Sequence, residues 1–183
     1  LKSEFYGWLK LERPTEESGE PFPPGYCHFP QMPEEFFKQL TAEQLIHALP
    51  GARAVRRTDP ISYQNIVEAL GAKMMEVEIR VAEATDVWDE EIALTVIGTQ
   101  RATPPARQIG ANQAGTFTIA LRDAFDIERL QTNSHLEIYA RDVDTLSDDD
   151  ANHHRWRAPF SPISNPVQIR GGDGRYMLTG RWL

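Results

Sequence analysis

The sequence predicts an α+β fold: a short helical and irregular N-terminal segment over residues 1–73, then a mainly antiparallel β-sandwich over residues 74–183. Two observations carry this. In residues 34–49, EEFFKQLTAEQLIHAL, the apolar side chains Phe36, Phe37, Leu40, Leu45, Ile46 and Leu49 recur at roughly helical spacing. From Met74 the period becomes two. MMEVEIRVAEA sets Met75, Val77, Ile79 and Val81 between charged residues, the pattern of a strand with one buried face.

Each element follows from its local chemistry. Residues 1–13, LKSEFYGWLKLER, hold Phe5, Trp8, Leu9 and Leu11 and read as a helical turn running into a strand. Residues 14–33 contain six of the thirteen prolines and glycines at 19 and 25. So many missing N–H donors predict irregular structure. Pro33 followed by Glu34 and Glu35 suits a helix start, where acidic side chains meet the positive end of the dipole. Thr41 and Gln44 have capping-box spacing, so two short helices meet at Thr41. The pattern changes after Pro50-Gly51, and residues 61–72, ISYQNIVEALGA, predict a further helix with Ile61, Ile66, Val67 and Leu70 on one side.

Strand-like segments then repeat: EIALTVIGT, GTFTIALR, HLEIYARDV, PVQIR and RYMLTGRWL, divided by the turn-rich stretches TPPARQIGANQAG, DTLSDDDANHH and RGGDGR. Five or six strands without long helices between them point to an antiparallel sandwich or barrel. SPISNPVQI carries two prolines, which places it at a sheet edge. There is no internal repeat.

Composition bounds the function. With 183 residues, 40% hydrophobic and 25% charged, the chain matches a globular protein able to bury a core. No apolar run approaches the roughly 20 residues that span a bilayer, and no charged-then-apolar leader opens the chain, so export is not expected. Beginning at Leu1 rather than Met, it reads as a fragment or a processed chain. Cys27 is the single cysteine, which excludes an internal disulfide and a Cys-rich metal site. A net charge of -8 disfavours nucleic-acid binding unless the 19 Lys and Arg gather on one face. Neither Gly-x-Ser-x-Gly nor His-Glu-x-x-His occurs, and RGGDGR lacks the strand-to-helix setting of a phosphate loop.

The N-terminal motifs are more specific. LKSEFYGWLKL, a proline- and glycine-rich gap, GYCHFP and EEFFKQLTAEQL follow one another, with Lys2, Tyr6, His28, Phe29, Pro30, Gln39, Leu40, Thr41, Ala42 and Glu43 as the telling positions. In order and spacing, residues 1–46 resemble the C-terminal nuclease domain of lambda-type phage terminase large subunits, the DNA-packaging motor. The resemblance implies an ATP-driven, metal-dependent endonuclease family in which carboxylates on an RNase H-like sheet hold Mg or Mn. Those carboxylates lie mostly ahead of the segment seen here. Lys2 falls on the position of the family's active-site lysine and would neutralise a phosphate. His28 would be a ligand or base near that phosphate, or a packing residue between Tyr26, Phe29 and Pro30, and packing is the preferred reading. Past the Thr-Ala-Glu helix the family carries a tryptophan and an Arg-Asn-Glu-Ala-Leu-Asp motif. This chain has RRTDPISYQNIVEALG instead, with Asp59 and Glu68. The implied role is phage DNA packaging without complete nuclease activity in the chain by itself. Its implied partners are other packaging or virion proteins, with DNA weakened by the net charge and no membrane. The implied location is host cytoplasm or virion, without secretion.

A different class of function stays open: a non-enzymatic β-sandwich binding or structural module. ARDVDTLSDDD places Asp142, Asp144, Asp148, Asp149 and Asp150 after a strand, and such hard oxygen donors suit calcium. The stretch faintly resembles the third calcium loop of C2 domains, with Asp86 and Asp89 standing in for a first loop. A solvated acidic loop is its plainer reading. His135, His153 and His154 raise a transition-metal reading, but adjacent histidines on a strand face opposite ways.

Overall fold

A computed structural model describes residues 34–57, 59–83, 90–143, 153–171 and 174–183. The chain divides into two compact units, Leu1–Leu70 and Gly71–Leu183.

The described part of the first unit is helical. Helix α1 spans Glu34–Gln39, α2 Ala42–Val55 and α3 Pro60–Gly71. Thr41 separates the first two as its spacing requires. Its hydroxyl accepts the Gln44 N–H at 3.1 Å, while the Gln44 side-chain oxygen accepts the Thr41 N–H at 2.9 Å. Two otherwise orphaned donors are thereby satisfied. On α1, Lys38 reaches back to Glu34 at 2.6 Å and Glu35 at 3.1 Å. Helix α2 does not stop at Pro50 but runs through it to Val55. Proline there removes one N–H from the helix ladder, a defect of about 3 kcal/mol. Burial of Leu49, Gly51, Ala52 and Val55 around that turn offsets it. In α3, Pro60 takes the first helical position, where a missing N–H costs least.

The second unit is two antiparallel sheets. Strands β1 (Met74–Glu83), β5 (Ala114–Ala120), β8 (Ile163–Gly171) and β9 (Gly174–Trp182) form one, in the order β5-β1-β9-β8. The other contains β2 (Glu90–Ile97), β3 (Arg101–Ala102), β6 (His135–Asp142) and β7 (His154–Arg157), in the order β3-β2-β6-β7. Strand β4 (Arg107–Ile109) also pairs with β2. A short helix, α4 (Leu121–Ala124), and a 3-10 turn, Ile127–Arg129, follow β5.

Alternation decides which face is inside. In β1, Met75, Val77, Ile79 and Val81 are at most 1% exposed. Ile79 pairs with Gly115 of β5 and with Leu178 of β9, and Val81 pairs with Tyr176. In the second sheet Ile92, Leu94 and Val96 of β2, and Leu136, Ile138 and Ala140 of β6, are buried. On the solvent side of the first sheet, Glu76 lies directly across from Arg181, whose guanidinium contacts its Oε1 at 2.9 and 2.7 Å. Trp156, Phe160 and Trp182 cluster with centroids 5.9 to 6.3 Å apart, and the Trp156 indole donates to the Ser161 carbonyl at 2.7 Å.

Strand β8 occupies a sheet edge, as its prolines require, and its pairing with β9 shifts register between Ile163 and Val167, around Pro166. The β8–β9 pairing runs up to Gly171 opposite Gly174. At Gly171 a Cβ would collide with the Ala140 carbonyl oxygen, so that close approach requires glycine. Strands β3, β4 and β7 have no counterpart in the sequence reading, because two to four residues are too few to display a period.

Ile79 is fully buried between two partner strands. Its truncation, Ile79→Ala, should lower unfolding stability by about 2–5 kcal/mol. A urea titration followed by tryptophan fluorescence measures this, and a loss under about 0.5 kcal/mol would contradict the packing described.

Candidate functional site

Among the described residues, three places combine burial or clustering with groups able to do chemistry. The first is one end of the sandwich. Glu90, at the start of β2, is 6% exposed, and Tyr176, near the start of β9, is fully buried. The Tyr176 hydroxyl donates to Glu90 Oε2 at 3.4 Å and accepts from the Asp142 backbone N–H at the end of β6. Burial, then the negative charges of Glu90 and Asp142, push the Tyr176 phenol far above its ordinary range. It is held as a neutral donor, which is what a buried carboxylate needs. Val143 N–H to the Glu91 carbonyl, at 2.8 Å, ties β6 to β2 at the same end. The ends of β1, β6 and β8 and the starts of β2 and β9 therefore gather here.

The second place is the solvent face of β6 and β7. Glu137 Oε1 lies 3.3 Å from Arg155 and 3.6 Å from both His135 and His153, while the Tyr139 hydroxyl donates to Oε2 at 3.1 Å. Desolvation works to raise Glu137. The Tyr139 hydrogen bond and the charges of His153, Arg155 and His135 outweigh it, so its carboxyl is held below the usual range. Tyr139 and His153 stack with centroids 5.0 Å apart. His154 is half-buried, and burial followed by its neighbour His153 holds it below the ordinary imidazole value.

The third is Asp59, in the first unit. Its Oδ1 accepts the Ser62 N–H at 3.1 Å and caps α3. Its Oδ2 is buried and has no hydrogen-bond partner. A buried carboxylate oxygen left unpaired is costly and calls for a reason. Asp59 is visible in the sequence beside Pro60 as a cap, but nothing in the sequence shows that half of it is orphaned.

The residues singled out from sequence are distributed unevenly over these places. Lys2 and His28 lie outside the described residues, as do Asp86, Asp89, Asp144, Asp148, Asp149 and Asp150. Asp142 is at the gathered strand ends. Glu68 is on α3, where it accepts a hydrogen bond from Gln64 at 2.8 Å. His135 and His153 meet at Glu137. Among the described residues no group of three or more His, Cys, Asp or Glu is arranged to hold a metal ion.

Comparison with known families bears on the first unit. Residues 1–82 match the family model of the terminase large subunit gpA, endonuclease domain. The match to the terminase nuclease domain runs past residue 46, where the sequence motifs ended, through α2 and α3 and almost to the end of β1. The stretch RRTDPISYQNIVEALG, which departs from the family's closing motif, thus lies inside the terminase-like region, and so does Asp59. A solved structure described as "Structure of a C2 domain" is similar at 13% identity and a TM-score of 0.38, covering 60% of this chain and 97% of that chain. No curated protein matches the chain. No helix among the described residues is long and apolar enough to cross a membrane.

The buried tyrosine gives a pH signature. An unfolded tyrosine ionises near pH 10, and the folded one later, so the folded state holds the extra proton above that point. Tyr176 should add its full stability below about pH 10 and lose it as pH rises further. At pH 7, Tyr176→Phe should cost about 1–3 kcal/mol by removing the hydroxyl that donates to buried Glu90. Urea midpoints from pH 7 to 11 test both: the variant should show a shallower alkaline loss than wild type, and equal slopes would rule this out.

Proposed function

We propose that this chain serves phage DNA packaging as a terminase large subunit-related protein that lacks a complete nuclease set of its own. The family match over residues 1–82 supports this reading most directly. Lys2 is the residue proposed to neutralise a substrate phosphate, and among the described residues of the terminase-like region Asp59 has a buried carboxylate oxygen without a hydrogen-bond partner. The family's Mg or Mn would supply water activation and leaving-group stabilisation when bound. One orphaned oxygen is a single donor, short of the set such an ion takes. The partners that fit are other packaging or virion proteins, and the compartment that fits is the host cytoplasm or the virion.

Incubating the chain with supercoiled plasmid and either Mg or Mn tests the proposal, and the plasmid should remain uncut. Cleavage that disappears in Lys2→Ala would show the set to be complete after all. Asp59→Asn, which keeps the cap and removes the orphaned charge, should leave stability unchanged or raise it, whereas Asp59→Ala should cost about 1 kcal/mol through the lost cap. Thermal melts of the two variants decide this, and equal destabilisation by both would assign the orphaned oxygen a structural partner.

One observation favours a second reading, a calcium-responsive sandwich module. The strand ends that gather around Glu90, Tyr176 and Asp142 flank sequence carrying Asp86, Asp89, Asp144, Asp148, Asp149, Asp150 and Asp173. Ligands that bind only the folded state raise its melting temperature in proportion to their affinity. Under this reading a titration from micromolar to millimolar calcium should raise the melting temperature, by less in Asp142→Asn. A flat titration would remove it.

A further inference from the structure

The two outer strands of the first sheet differ. Strand β8 is interrupted by Pro166 and a register shift, whereas β5 pairs with β1 without a break from Ala114 opposite Arg80 to Ala120 opposite Met74. The Leu121 N–H donates to the Lys73 carbonyl at 3.0 Å, which fixes the phase of that ladder. Hydrogen-bonded pairs alternate along an antiparallel pair, so Gly115, Phe117 and Ile119 bond to β1. Ala114, Thr116 and Thr118 turn their N–H and C=O groups outward, and among the described residues no strand lies beside them. The edge stops at Ala120, because α4 starts at Leu121.

A cleft of about 490 Å³ adjoins that end of β5. Thr118 lines one side, Pro104 and Pro105 another, and Arg101, Arg122 and Asp123 are its charged residues. Both arginines are exposed, and neither has an ion pair or a side-chain hydrogen bond among the described residues. The neighbouring acids are engaged elsewhere: Glu137 lies 3.3 Å from Arg155, and Asp126 lies 3.3 Å from Arg129. Two open guanidiniums beside one aspartate suit a single carboxylate rather than an acidic run.

We infer that this edge takes the C-terminal strand of a partner protein, which adds to β5 and sets its terminal carboxylate in the cleft that Arg101 and Arg122 line. The outward N–H and C=O groups supply the main-chain bonds of strand addition, and a guanidinium fork meets a carboxylate through two parallel bonds. A chain end fits better than a passing segment, because the edge gives out at Ala120. With its terminus there, the added strand runs parallel to β5. A second copy of β5 is a poorer occupant. Antiparallel pairing of two such strands brings Asn112, Gln113 and Ala114 to the arginine end, and none carries a carboxylate. The inference concerns the second unit and holds whether or not the chain cuts DNA.

Fluorescence anisotropy of the full chain with a peptide of alternating threonine and valine, labelled at its N-terminus and free at its C-terminus, tests it. Saturable binding is expected, and converting the terminal carboxylate to an amide should weaken it roughly tenfold. Arg101→Ala with Arg122→Ala should bind the acid and the amide alike. Of two peptides N-methylated on alternate amides, only the one whose blocked amides face β5 should lose binding. Absent binding, an amide as tight as the acid, an unchanged preference in the arginine variant, or equal binding of both methylated peptides would overturn the inference.

Discussion

Strand β1 pairs with β5 on one side and β9 on the other, and both registers send Met75, Val77, Ile79 and Val81 to the interior. A shift of one residue in either pairing would turn that row to water and bring Glu76, Glu78 and Arg80 inside. The turns, edge strands and short helix of the second unit are arranged around this central pairing. It also fixes where Tyr176 lies, because Tyr176 is opposite Val81, and so determines which carboxylate its hydroxyl reaches. Register is thus the link between apolar patterning and the polar group buried at the sandwich end.

Charge follows the same geometry. A strand's alternation pushes its charged residues to the solvent face, where β6 and β7 place Glu137 and Tyr139 among arginines and histidines. Many of the acids fall between strands, where no pairing constrains side-chain choice. A net charge of -8 averages over these two populations and describes neither. Screening confines long-range repulsion from the acidic segments to about a Debye length.

Much of the fold was legible in the sequence because it rests on local rules. Period two marked β1, strand-like segments marked β2, β5, β6, β8 and β9, and the Thr41–Gln44 spacing marked the break between α1 and α2. What escaped the sequence was tertiary. Pro50 looked like an ending, but burial of the surrounding turn carried α2 to Val55. Strand β7 was too short to show a period, and it forms because Trp156 has Leu136 opposite it. At the candidate sites, Asp142 and the histidines were identifiable by type alone. The pairing of Glu90 with Tyr176 spans 86 residues, and the orphaned oxygen of Asp59 is defined by what fails to surround it. Neither is encoded in a spacing.

The edge at β8 has a consequence for copies of the chain held close together. A regular outer strand offers a row of unpaired donors and acceptors on which a neighbour can extend the sheet, the first step toward aggregation. Pro166 deletes one donor from that row, and the shifted register between Ile163 and Val167 breaks its straight run. Ser164 and Asn165, exposed beside the proline, add polar side chains to the same stretch. A crowded neighbour finds no continuous template on that side, so the sandwich resists polymerising through β8 at high local concentration.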